Sequence, residues 1–127
     1  MKLRLQSNSI RLRLKPGEVE QLAKTGCVEE KIIVGNGPDD VFHYVLESSH
    51  AVSSPQATLT KRGLLVQVPV DRVSKWATGD EIGIEANVPL ENEKQLQVLI
   101  EKDFACLNGP EEQNIDTFPN PLAGTKC

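Results

Sequence analysis

Lys2, Arg4, Arg11 and Arg13 recur at alternate positions near the start of the chain, with Lys15 just beyond and no acid among the first fifteen residues. Guanidinium groups offer forked donors that match phosphate and carboxylate oxygens, so a stripe of this kind can grip an anion. The same pattern also suits the wet face of a sheet whose charge is answered by acids elsewhere in the chain. Glu101, Asp103, Glu111, Glu112 and Asp116 face only Lys102 and Lys126 and could supply them. Exposed pairs of that type contribute ~0–1 kcal/mol each, so they orient more than they stabilise. No aromatic residue interleaves the stripe and the net charge is −4, which argues against a nucleic-acid partner.

Three further groups have the right residue types for chemistry. Glu29, Glu30, Glu81 and Glu85 could hold a divalent cation across a barrel, because hard cations prefer oxygen ligands. The alternating Glu-x-Glu-x-Lys signature of the triphosphate tunnel enzymes is missing, since Glu29-Glu30-Lys31 does not alternate. Cys106 follows Lys102 and Asp103 in a dense Glu-Lys-Asp-Phe-Ala-Cys run, and a nearby lysine can favour a thiolate. A nucleophile also needs a base, and neither His43 nor His50 bears a spacing relation to Cys106. The plainer reading of Cys106, and of Cys27, is a small apolar side chain. No phosphate loop, nucleophile elbow or HExxH occurs, and the scattered cysteines lack paired zinc spacing. No cofactor is therefore expected.

The elements that must carry these residues read out by period. Residues 2–6 and 10–14 alternate, with Leu3, Leu5, Ile10, Leu12 and Leu14 on one side and the cations on the other. Ser7-Asn8-Ser9 supplies the hairpin turn between them. Pro16 fits the first position of a short helix, Val19, Leu22 and Ala23 its apolar face, and Gly26 its end. Strands are expected at 28–34 and 41–47, followed by a polar link from Ser48 to Pro55. The order then recurs: strands at 56–60 and 64–68, a helix with Val73, Trp76 and Ala77 inward, and strands at 81–88 and 96–104. This predicts a mostly β, α+β domain over residues 1–107. Two ββαββ units (2–47 and 56–104) related by a pseudo-twofold would form a packed antiparallel sheet or a small closed barrel with two short helices. Residues 108–127, with Pro110, Pro119, Pro121 and Gly124, are expected as an irregular tail.

The bulk properties agree with that frame. With 127 residues the chain can bury its own core, and 4% aromatic content means a core of Leu, Ile and Val. Three cysteines cannot pair completely, and the start lacks an apolar signal region, so the cytoplasm is expected. No apolar run is long enough for a membrane helix. The segments NSIRLRLKPGEVEQLAKTGCVEE, EKDFACL and FPNP resemble a family of small uncharacterised bacterial proteins. Its members share a SIRLRL hairpin, an E-V-x-x-L-x-x-x-G helix and an E-K-D-F-x-C-L segment. The resemblance implies a single cytoplasmic domain and no activity, and draws attention to Lys102, Asp103, Phe104 and Cys106. The expectation is a non-catalytic binding module, engaging a protein or small anionic ligand through Arg4, Arg11 and Arg13. The alternative is a small enzyme or ligand-binding barrel that uses Lys102, Asp103 and Cys106.

Overall fold

A computed structural model describes residues 1–104. Cys106 and the expected tail at 108–127 lie outside the described residues. In chain order the elements are β1 (Lys2–Gln6), β2 (Ser9–Leu14), α1 (Pro16–Thr25), β3 (Cys27–Ile33), β4 (Val41–Ser49), β5 (Gln56–Thr60), β6 (Gly63–Pro69), α2 (Val70–Thr78), β7 (Gly83–Pro89) and β8 (Gln95–Lys102). The strands form two four-stranded sheets, ordered β1-β2-β8-β7 and β3-β4-β6-β5.

Each sheet joins two antiparallel hairpins through a parallel central pair. In the first sheet β2 runs parallel to β8, with Ser9 opposite Gln97 and Leu14 opposite Lys102. In the second, β4 runs parallel to β6, with His43 opposite Gly63 and Ser49 opposite Pro69. The expected antiparallel sheet or closed barrel is thus corrected to two mixed, open sheets. The reason is topological. Each helix carries the chain from one sheet to the other, so a hairpin meets its sheet partner only from the far end of the sequence or across the 49–56 link. Among the described residues the edge strands β1, β7, β3 and β5 have no partner on their outer sides.

Local sequence accounts for the helix limits. Pro16 opens α1, the Glu18 carboxylate accepts from the Lys15 N–H at 3.0 Å, and Gly26 ends the helix at φ 82°. That left-handed turn lets Gly26 N–H donate to Leu22 O, while Gly26 O accepts from Ser48 N–H and ties the helix end to β4. Helix α2 follows Pro69 without a side-chain cap and is anchored instead by Trp76. The indole is fully buried and donates to Ile82 O at 3.1 Å, which satisfies its polar atom.

One core serves both sheets and both helices. Leu12, Leu14, Ile84, Val98 and Ile100 face Val28, Leu46, Val66 and Val68, with Leu22, Val73 and Trp76 from the helices. Burying each aliphatic side chain of this size contributes roughly 1.5–3 kcal/mol before entropy is subtracted. Beside this cluster Phe42 and Tyr44 pack at 6.3 Å between ring centroids. Two expected strands are displaced at their ends: β7 begins at Gly83, so Glu81 precedes it, and β8 stops at Lys102.

Candidate functional site

Because side chains alternate along a strand, each sheet turns one row of residues inward and the next outward. On the first sheet the outward rows carry Lys2 and Arg4 from β1, Arg11 and Arg13 from β2, and Leu99 and Glu101 from β8. The β1–β2 register sets Arg4 directly opposite Arg11 and Lys2 opposite Arg13. The cations are partly answered. Arg11 Nε lies 2.6 Å and Arg13 Nε 3.4 Å from the same Glu101 Oε1, and Lys2 Nζ lies 3.2 Å from Asp103 Oδ2. The buried Arg11 N–H is not aimed along its short contact, so the pairing is ionic rather than a directed hydrogen bond. Among the described residues Arg4 has no carboxylate partner. It lines a recess of about 220 Å³ with Arg11, Gln6, Ser9 and Gln97.

The Glu101–Phe104 end of β8 sits elsewhere. Lys102 Nζ donates to Gly79 O at 3.0 Å, just past the end of α2, and lies 5.9 Å from the Trp76 ring centroid. A cation at a helix C-terminus and over an indole is favourable on both counts. Asp103 extends the parallel pairing, its N–H donating to Leu14 O at 2.8 Å. Lys102, Asp103 and Phe104 border a largely apolar groove of about 380 Å³ between the helices, floored by Leu14, Val19 and Ala23. The structure therefore separates Lys102 and most of that groove from Arg4, Arg11 and Arg13, with Lys2–Asp103 as the link between them.

Glu29, weighed above as a cation ligand, instead meets His43 on the outer face of the second sheet, beside Lys31 and with Arg62 close by. Lys31 stands opposite His43 across β3–β4, and Glu29 lies one pleat along on the same face. His43 Nδ1 is 2.6 Å from Glu29 Oε2. An ionised carboxylate only accepts, so Nδ1 is the donor of this contact. The ring is only 14% exposed, which fixes its plane. Arg62 reaches the same ring from the β5–β6 turn, its Nη2 3.5 Å from Nε2, while its carbonyl accepts from the His43 N–H at 2.8 Å.

Gly63 makes this approach possible. Its φ is 151°, and a Cβ there would fall 1.9 Å from His43 O. Only glycine lets β6 start this close to β4 and so brings Arg62 to the imidazole. His43, Arg62, Lys31, Lys61 and the acid Asp39 line a cavity of about 530 Å³. The signal lay in the hairpin register: once Val41 opposes Ile33, alternation places Glu29, Lys31 and His43 together.

The remaining candidates carry no such convergence. Burial, then Glu29 and Glu47, pushes the Cys27 thiol up from its ordinary range, which disfavours a reactive thiolate. Glu30 leans toward the α-ammonium of Met1, 3.4 Å away, while Glu18 makes the closer contact to that group. Among the described residues no three His, Cys, Asp or Glu side chains converge as a metal site requires. No helix among them is long and apolar enough to cross a membrane. No curated protein and no solved structure matches the chain. A family model does match, over residues 1–122, and so takes in both outer faces and the groove between the helices. The chain thus belongs to DUF7009, a family of unknown function.

Proposed function

We propose that the protein is a small non-catalytic binding module of the cytoplasm, made of two like ββαββ units, which engages an acidic partner protein through the outer face of its first sheet. The observation that carries this reading is the cationic surplus on that face. Glu101 answers Arg11 and Arg13, Asp103 answers Lys2, and Arg4 is left facing a recess that Arg11 also lines. Arg4, Arg11 and Arg13 are the residues assigned to contact the partner. A guanidinium held beside a half-neutralised neighbour is oriented yet still short of acceptors, which suits it to a carboxylate arriving from outside. Lys102 and Asp103 direct their polar groups to Gly79 and Lys2, which favours a structural role for that end of β8 over a catalytic one.

A short poly-glutamate peptide titrated into the ¹⁵N-labelled protein tests the assignment. The expected result is low-affinity, salt-sensitive binding, with shifts concentrated on β1 and β2. Arg4→Glu is expected to weaken it about tenfold without changing the unfolding temperature. Shifts confined to other regions, or an unaffected Arg4→Glu variant, would remove this face from the assignment.

A further inference from the structure

We infer that the cavity around His43 on the second sheet is a binding site for a phosphate group, either free inorganic phosphate or a phosphate monoester. The argument rests on three features of the site and is independent of the first sheet. Lys31, Lys61 and Arg62 bring cationic donors to one cavity of about 530 Å³, against the single lining carboxylate of Asp39. Compact oxyanions with several acceptor oxygens match such a set, because each oxygen can take a charge-assisted hydrogen bond. Lysine supplies point charges and arginine a fork, the division of labour common at phosphate sites.

The second feature is the orientation of His43. Glu29 accepts from Nδ1 at 2.6 Å and leaves Nε2 turned toward Arg62 at the edge of the cavity. The carboxylate thus holds the ring in place, and the ring in turn sets the Arg62 side chain, whose Nη2 lies 3.5 Å from Nε2.

The third feature is the backbone. Gly63, at φ 151° and with no room for a Cβ, holds the β5–β6 turn against β4. Arg62 thereby reaches toward Nε2 from the β5–β6 turn, which the backbone holds against β4. A plain solvated surface does not need so constrained a glycine to bring a cation toward an imidazole.

The test is isothermal titration of the full chain with inorganic phosphate, glycerol 3-phosphate and sulfate at matched ionic strength. Phosphate is expected to bind with Kd of order 1 mM or tighter. Arg62→Gln and Lys61→Gln, both at a surface turn, should each weaken phosphate binding several-fold. Arg4→Gln on the other sheet should leave it unchanged. Tighter binding of the monoester assigns the site to organic phosphates, and tighter binding of inorganic phosphate assigns it to the free ion. Tighter binding of sulfate than of either phosphate, no binding by any of the three probes, or phosphate binding that survives both Arg62→Gln and Lys61→Gln would overturn the inference. A folded Arg62→Gln variant, shown by an unchanged melting transition, keeps a loss of binding from being mistaken for a loss of structure.

Discussion

The outer faces of the two sheets share one hydrogen-bonding scheme and fill it with different chemistry. On the first sheet Gln97 donates to Glu85 across β7–β8, at 3.1 Å, and its backbone N–H meets Asn8 O in the neighbouring hairpin turn. On the second sheet His43 meets Glu29 across β3–β4, and its backbone N–H meets Arg62 O. One step along, Arg13 reaches Glu101 on the first sheet, where Gln67 donates to Glu47 on the second. A glutamate on one strand with a donor on the next is thus a structural habit of this architecture. What each face can bind depends on whether the donor is a neutral amide or an ionisable group. The first sheet is charged where the second is neutral, and neutral where the second bears the imidazole.

The sharpest way to break this comparison is at the start of the second strand of each hairpin, where Ser9 opposes Gln97 and Gly63 opposes His43. Gly63→Ala places a methyl group into the His43 carbonyl at a φ that side chains avoid. A loss of about 3 kcal/mol and a fall in Tm on the order of 10 °C are expected by thermal denaturation. Ser9→Ala on the other sheet, which already carries a Cβ, should cost less than about 1 kcal/mol through its hydrogen bond to Gln6 O.

A smaller effect separates the carboxylates. Glu101→Gln removes the charge shared by Arg11 and Arg13 and should destabilise by about 1 kcal/mol, with a deficit that shrinks as salt is added. Glu47→Gln, whose partner is the neutral Gln67, should stay within about 0.5 kcal/mol at any salt concentration. Urea titrations at low and high ionic strength distinguish the two.

The smallest effect contrasts the helix starts, since α1 has a reciprocal carboxylate and α2 follows Pro69 without a side-chain cap. Burial pushes the Glu18 carboxyl up, but the Met1 ammonium and the Lys15 N–H outweigh it and leave the group below its ordinary value. A lowered folded-state pKa stabilises above the unfolded value of 4.5, and that contribution vanishes as pH falls through the folded value. Glu18→Gln should therefore be less stable than the parent at pH 7, and the gap should close in acid as pH falls from 4.5 through the lowered folded value. Paired urea denaturations at neutral and acid pH check the sign.

Local pattern made much of this legible before any coordinates. Strict alternation set Ile10, Leu12 and Leu14 inward and Arg11 and Arg13 outward, and Pro16 with Gly26 bracketed α1 closely. Sheet partners were not legible, because an alternating strand looks the same beside a parallel or an antiparallel neighbour. Nothing in Ser9–Leu14 names Gln97–Lys102 as its mate. The imidazole site escaped for a related reason. Glu29 and His43 meet through a register set by the Val34–Asp40 turn, where Val34 N–H donates to Asp40 O, and Arg62 joins them through a parallel pairing.

The weave of the chain between the sheets has a consequence for its birth. The first sheet holds β1 and β2 at its start and must wait for β7 and β8 before its centre can zip. During synthesis the opening hairpin emerges with Ile10, Leu12 and Leu14 lacking their sheet partner until Gln97–Lys102 has left the ribosome. Pairings between such distant segments are slow to form, so the first sheet is expected to close later than the second. A nascent chain arrested before Gln95 would remain a client for chaperones, whereas the second sheet, complete by Pro69, could begin to assemble while translation continues.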